Sequence, residues 1–552
     1  MLAKHADRNL TVGRWRVRCS NGYAFVSKIQ TRVAQVCRQS IVLVISAILY
    51  AGCSAGSETR FGGEGQGGIV ADEPHAVTVG AAILSNGGSA ADAAVATALA
   101  LSVTFPVAAS LGGGGACLVF DGPTGTAESL EFLPRAAKRG GTVAVPGMIR
   151  GLGALHARYG RLSWEDVVKP AEEIARNGHP LSRAMALNIE VFGEAIDRSD
   201  SLRRWLRGEE GVLTEGEGYF QVELSSTLSL LRARGAGDLY GGLLGRQFVA
   251  ATRRLGGKIA LADLRAYVPI WGQTTQAKIG DIVLHTTSPP ITGGTVAGQV
   301  WFMLSDTDRY RFAPPDERPH MVAEASLRAM GEVSVDPTTA MSGFRADALM
   351  RSYDPSQHRA LTGVYPEINT TLPAVAGGDG TTSFVVGDND GSAVSCSISL
   401  GSPFGVGAWD PITGIVPSAT AKTNEAKQFA GLIFLVREPG EHVFLAAAAS
   451  GGIGAPVALA QVVVMAADAD TLPASVLATG RVLHLGSPDR VIVEPSLSKV
   501  GIDGLRARKH DVFWASPIGF VNLLHCSGGL GWGRGGCSYA ADPRGAGMEL
   551  AQ

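Results

Sequence analysis

Around residue 383 this chain changes character, and that change restricts its fold more than any other feature. Before it, apolar residues recur at helical spacing among scattered strands; after it, strand-like runs follow one another at 383–387, 393–400, 442–447, 490–493 and 511–521. Helices are predicted over 75–85, from Ser89 to residue 103, from Pro146-Gly147 through Leu155, over 164–176 and over 228–234, with another after Ser288-Pro289-Pro290-Ile291-Thr292-Gly293-Gly294. This order predicts sheets packed face to face with helices outside them. Asn86-Gly87-Gly88 stops the first helix. Ser89-Ala90-Ala91-Asp92 then reads as a capping box, and the run behind it is apolar all round, as a buried helix requires. The glycines of Leu111-Gly112-Gly113-Gly114-Gly115 precede a strand with no Lys-Ser/Thr behind them, so they imply close backbone packing rather than a phosphate loop.

At the switch point lies Gly380-Thr381-Thr382-Ser383-Phe384-Val385-Val386. A threonine hydroxyl is a weak nucleophile without an adjacent base, and the simplest base is the threonine's own α-amine once the preceding peptide is cut. Thr381 is therefore a candidate hidden N-terminus. The plain alternative is two β-branched residues opening a strand. Asp388-Asn389-Asp390-Gly391 carries turn residues between two strands. A turn at Asn389-Asp390 pairs Thr381 with Ile398, and one at Asp390-Gly391 pairs it with Leu400; Ser399 is adjacent either way. Ala393, Ser395, Ser397 and Ser399 share one face of the second strand.

With 552 residues, 45% apolar and 18% charged, the chain can bury a large core. A net charge of -2 without any Lys/Arg block argues against a nucleic-acid surface, which needs clustered cations. Arg32 and Arg38 precede an apolar run at 41–50 that is too short to span a bilayer but suits a signal segment. Small residues before Cys53 resemble a bacterial lipoprotein cleavage box, so residues 1–53 are expected to be a leader, with Cys53 lipidated and the product exported to the periplasm or membrane-anchored. An ordinary signal peptide or an uncleaved anchor is the alternative. Of seven cysteines, Cys526 and Cys537 are close enough for a disulfide in an exported protein, while Cys117 and Cys396 sit in apolar runs and are expected as core. No Cys/His spacing suggests a metal, and no cofactor is expected.

Several segments in order resemble the γ-glutamyltransferase family: Ser85-Asn86-Gly87-Gly88-Ser89-Ala90-Ala91-Asp92, Leu111-Gly112-Gly113-Gly114-Gly115, Val145-Pro146-Gly147, Pro289-Pro290-Ile291-Thr292-Gly293-Gly294, Gly380-Thr381-Thr382, Asp390-Gly391, Ser450-Gly451-Gly452 and Asp542-Pro543-Arg544. The resemblance implies an α+β fold, the four-layer αββα sandwich of N-terminal-nucleophile hydrolases. It implies that Thr381 cuts the chain after Gly380, leaving a large subunit (54–380) and a small catalytic subunit (381–552) as a heterodimer. Thr381 would then attack glutathione or another γ-glutamyl or acyl amide, with water or an amino-acid or peptide acceptor resolving the acyl-enzyme. Gly451 and Gly452 take the place of the family's oxyanion donors, and Ser399 that of a second threonine supporting the nucleophile.

Departures accompany the matches. Ser383 replaces the histidine of the family's Thr-Thr-His. Leu133, after Glu131-Phe132, replaces the arginine expected to clamp the donor's α-carboxylate, leaving Arg135 or Arg139 as substitutes. Val416-Pro417-Ser418-Ala419-Thr420-Ala421-Lys422 lacks the acidic partner for the donor's amine, and Phe429-Ala430-Gly431-Leu432 lacks the paired serines. Glutathione hydrolysis or transfer is the default expectation. The alternatives are a glutaryl- or cephalosporin-acylase-like enzyme and a lipid-anchored scaffold without catalysis.

Overall fold

The computed structural model describes residues 67–208, 211–335, 348–360, 372–420, 431–438, 441–467, 472–515, 517–532 and 536–552. The leader with Cys53, Ala421, Lys422, Phe429 and Ala430 lie outside them.

Seven strands form the first sheet. They are β1 (Gly68–Ala71), β2 (Gly114–Asp121), β3 (Thr126–Phe132), β4 (Ile270–Gln273), β7 (Thr381–Gly387), β8 (Ala393–Ser399) and β13 (Met548–Ala551), in the order β4-β3-β2-β8-β7-β1-β13. The second contains β5 (Thr275–Ile279), β6 (Ile282–Thr286), β9 (Gly431–Arg437), β10 (His442–Ser450), β11 (Phe520–Cys526) and β12 (Cys537–Ala540), in chain order across the sheet. Every pairing in both sheets is antiparallel.

The alternation of side chains separates three apolar layers. Ala116, Leu118, Phe120 and Val385 meet Leu432, Phe434, Ala446 and Leu524 between the sheets. Cys117, Val119, Phe384 and Val386 face the helices α1 (Pro74–Ser85) and α2 (Ala90–Thr104) instead. On the outer side of the second sheet, Ile433, Leu445 and Leu523 pack with α3 (Gly293–Ser305) and α4 (Ala455–Ala466). The arrangement is the expected four-layer αββα sandwich. All of α2 is buried, and Ser89 with Asp92 caps it reciprocally, Asp92 N–H to Ser89 Oγ at 3.2 Å and Ser89 N–H to Asp92 Oδ2 at 3.0 Å. The glycine run packs as read: a Cβ on Gly115 would lie 2.3 Å from the Ser397 carbonyl.

Three expectations need correction. Thr381 pairs with Ser399 itself, not with Ile398 or Leu400. Both readings assumed a two-residue turn, whereas three residues separate Asp388 from Ser392, whose backbones are joined at 2.9 Å. Asp388 Oδ1 holds that odd-numbered loop, accepting from the amides of Asp390 (3.0 Å) and Ser392 (2.9 Å). Second, the run at 511–521 is two strands, Val512–Trp514 in a small three-stranded sheet and then β11, broken at Gly519 with φ of 68°. Third, Cys117 and Cys396 are core residues but also a disulfide, because the β2/β8 register sets them directly opposite with Cα atoms 4.1 Å apart. The expected Cys526–Cys537 disulfide is present across β11 and β12. Among the described residues no helix is long and apolar enough to cross a membrane.

Candidate active site

Thr381 is the first residue of β7, reached through a turn that only glycine fits. Gly380 has φ of +76°, and a Cβ there would lie 2.2 Å from the Ser402 carbonyl carbon. This turn presents the Gly380 carbonyl to two donors, Leu400 N–H at 2.9 Å and Ser399 Oγ–H at 3.3 Å. Ser399 Oγ accepts from Gly401 N–H at 2.9 Å, which orients its own proton toward Gly380. Ser399 is buried rather than solvated.

The Thr381 hydroxyl donates to Asp379 Oδ2 at 2.5 Å, while Thr381 N–H donates to Asp379 Oδ1 at 3.1 Å. Gly451, in the left-handed region at φ 108°, directs its N–H to Thr381 Oγ at 3.5 Å. Gly452 follows at φ 66°, and its N–H bonds Asp379. Asp379 keeps some contact with solvent, but the protein packed around its carboxylate raises its pKa above the usual range. The bonds from Thr381 and Gly452 offset part of that desolvation.

Beneath Thr381 lies a second carboxylate, Asp72, at the end of β1. It is 4% exposed, and its Oδ2 accepts from Thr382 Oγ1 (2.9 Å), Ser383 N (3.0 Å) and Ser450 Oγ (3.0 Å), its Oδ1 from Asn522 Nδ2 (2.8 Å). Desolvation raises its pKa and these bonds oppose the rise. Asn522 also donates to the Ser383 carbonyl (2.9 Å) and hydroxyl (3.1 Å). One buried group thus ties β7 to β11 and to Ser450, the residue before Gly451. Thr382 is fully buried and bonded to Asp72, whereas Thr381 faces Asp379 and Gly451. Ser383, where the resemblance expects an imidazole, is occupied with Asn522.

The residues assigned to donor recognition are placed as follows. The Arg135 guanidinium donates to Glu131 (3.1 Å) and to the Val268 carbonyl (2.9 Å) and lies over the Tyr267 ring, 4.5 Å from its centroid. Arg139 is exposed. Leu133 and Val416 are buried apolar residues, and the 416–420 segment runs beside Gly112 and Leu400, with Ala419 N–H bonded to the Leu400 carbonyl.

Sequence spacing gave no hint of a histidine cluster on the outer side of the second sheet. By spacing, His358, His484 and His510, or His320, Glu324 and His510, could hold a metal ion. In the structure their side chains are joined by hydrogen bonds. His358 faces Glu324 through Nδ1 (2.6 Å) and Asp489 through Nε2 (3.0 Å), so both nitrogens donate and its pKa is raised, chiefly by Glu324. His320 Nε2–H donates to the Asp354 carbonyl, leaving its Nδ1 to accept from His510 Nε2–H at 2.7 Å. His484 Nδ1 accepts from Gly486 N–H. Burial holds His510 neutral, its pKa lowered to about 3.

The four-layer fold is that of N-terminal-nucleophile hydrolases. It is shared with the cephalosporin acylase from Bacillus halodurans, with a TM-score of 0.73 over 88% of this chain and 96% of that one at 22% identity. The model of the gamma-glutamyltranspeptidase family matches residues 76–430, and the chain belongs to that family of enzymes. Glutathione hydrolase 3 of Arabidopsis thaliana is 28% identical over 64% of this chain, and the glutathione hydrolase proenzyme of Escherichia coli K12 is 28% identical over 64%. The matched regions span 59% and 65% of those relatives' lengths.

Proposed function

We propose that this protein is a self-processing amidohydrolase and acyltransferase whose nucleophile is Thr381. The observation that carries the reading is the placement of Thr381 at the head of β7, directly after a carbonyl that already has two hydrogen-bond donors. In the uncut chain Thr381 Oγ adds to the Gly380 carbonyl carbon, and Leu400 N–H with Ser399 Oγ–H stabilise the oxygen as it becomes negative. Collapse of the adduct breaks the Gly380–Thr381 C–N bond and leaves an ester. Water then hydrolyses the ester, separating 54–380 from a small fragment, 381–552, with a free Thr381 amine.

In the mature heterodimer that amine takes the hydroxyl proton as Oγ attacks the donor amide. The tetrahedral oxygen is received by the amides of Gly451 and Gly452, which Asp72 holds near Thr381 through Ser450. The amine of the donor leaves, and water or an amino-acid or peptide acceptor resolves the acyl-enzyme.

Glutathione or another γ-glutamyl amide is the default donor, in keeping with the relatives' names. Leu133 and Val416 favour a second reading, an acylase whose acyl group carries no α-amino-acid end. Truncating one buried charged contact of this kind costs roughly 2–5 kcal/mol, enough to remove most affinity for a γ-glutamyl donor. Hydrolysis of γ-glutamyl and glutaryl anilides by the purified protein separates the readings: turnover of the first supports the default, and of the second alone the acylase. Export with Cys53 as a lipidated N-terminus belongs to the same proposal, and mass spectrometry of the mature N-terminus tests it.

A further inference from the structure

Self-cleavage has a requirement that the mature reaction does not. Before the cut, the Thr381 nitrogen is an amide, with no basic lone pair, so the base that serves turnover does not yet exist. Some other group must take the hydroxyl proton as Oγ attacks, and some group must protonate the nitrogen as it leaves. The partners of Thr381 narrow the choice. Gly451 N–H is a donor and cannot accept a proton. Ser399 accepts from Gly401 N–H and donates to the carbonyl under attack. Asp379 alone of these groups is a carboxylate, and its two oxygens sit on the two atoms concerned, Oδ2 on Thr381 Oγ and Oδ1 on Thr381 N.

We propose that Asp379 carries the proton of self-cleavage, taking it from Thr381 Oγ on Oδ2 and returning it from Oδ2 to the Thr381 nitrogen, which Oδ1 keeps alongside by accepting its N–H. The inference rests on the reading of Gly380–Thr381 as the cut site. As the proton moves to Oδ2, the Oγ–C bond to Gly380 forms and the carbonyl π pair goes to the oxygen held by Leu400 and Ser399. As that oxygen's pair returns, the C–N bond breaks and the nitrogen takes the proton from the Asp379 carboxyl. The ester and a neutral Thr381 amine result, with Asp379 again a carboxylate. Water consumes the ester and leaves Gly380 as a C-terminal carboxylate. Asp379 then belongs to the large fragment, and the new amine is the base for turnover. A raised pKa suits this exchange, since a group that must both accept and release a proton works best nearer neutrality. Gly452 N–H on the same carboxylate holds it in place.

The test follows cleavage of freshly synthesised chain on reducing gels, for wild type and Asp379→Asn. Asparagine keeps the shape and an acceptor oxygen but cannot take the proton, so cleavage should slow by about 10²–10⁴-fold. Asp379→Glu, which restores a carboxylate, should cleave faster than Asp379→Asn. Hydroxylamine gives a second readout on Asp379→Ala, because there it releases the small fragment from an ester but not from an intact amide, whereas Asp379→Asn would set a hydroxylamine-labile asparagine before Gly380. The uncut Asp379→Ala chain should resist it. Release of the small fragment from Asp379→Ala by hydroxylamine, or cleavage of freshly synthesised Asp379→Asn at the wild-type rate, overturns the proposal. If Asp379→Asn does not fold, Asp379→Ala with and without added formate decides: formate-dependent cleavage supports the proton role, and wild-type cleavage without formate removes it. A wild type that stays one chain refutes the cut-site reading itself, a separate outcome.

Discussion

Replacing Asp72 by alanine probes how the two sheets are locked beneath Thr381. Its carboxylate accepts four hydrogen bonds, and the groups left behind differ in what they can do. Asn522 retains the Ser383 carbonyl and hydroxyl as partners, and the Thr382 and Ser450 hydroxyls can rotate. Ser383 N–H cannot, because β1 ends at Ala71, paired with Phe384, and only the Asp72 side chain continues that edge. One stranded buried amide costs about 1–3 kcal/mol, and each weakened hydroxyl bond about 1 kcal/mol. Relief of the desolvation that raises the Asp72 pKa offsets part of this, leaving a net loss of about 3 kcal/mol. Asp72→Asn should cost less, about 1–2 kcal/mol, since its oxygen can serve the three donors at Oδ2 while its amide meets the Asn522 amide. The assay is the urea unfolding midpoint in a Thr381→Ala background, which keeps every chain uncut. A loss below about 0.5 kcal/mol for alanine, or a greater loss for asparagine than for alanine, refutes the reasoning.

Ser399→Ala should slow self-cleavage by about 10–100-fold, less than loss of an ideal oxyanion donor because its bond to Gly380 is 3.3 Å long, and the same reducing-gel time course reads it. Cys117 and Cys396 fall on opposite sides of the proposed cut, so the processed protein should run as one band without reductant and as two with it; Cys396→Ser should give two bands in both lanes. Cleavage should slow as pH falls, with a midpoint above the ordinary aspartate value of about 3.9, because only the carboxylate of Asp379 accepts the proton. His358, with its pKa raised by Glu324 and Asp489, stabilises the fold fully below the unfolded histidine value of about 6.5 and loses that contribution as pH rises through its folded value. The unfolding penalty of His358→Ala should therefore be largest at pH 6 and smaller at pH 9.

The layers of this fold were legible because helical and two-residue periodicities are local, and Ser89-Ala90-Ala91-Asp92 and the serine face of β8 could be read directly. The register failed by one residue because it depends on a side chain, Asp388, bonding back onto its own loop. Cys117 and Cys396, 279 positions apart, became a disulfide only through the β2/β8 register. Asp72 and Asn522, 450 positions apart, carry no spacing signal at all, and the histidine cluster is drawn from residues 320–510. Asp379 stands one residue from the proposed cut site, yet a lone carboxylate in a Gly-rich turn has no role until its two oxygens are seen on Thr381.

On the proposed mechanism Thr381 becomes an N-terminus by its own chemistry. N-terminal sequencing and intact mass of the purified, reduced protein test it most directly. Wild type should give a 172-residue fragment beginning Thr-Thr-Ser-Phe, and Thr381→Ala a single uncut chain. An uncut wild type, a fragment beginning elsewhere, or the same cleavage in Thr381→Ala would contradict it.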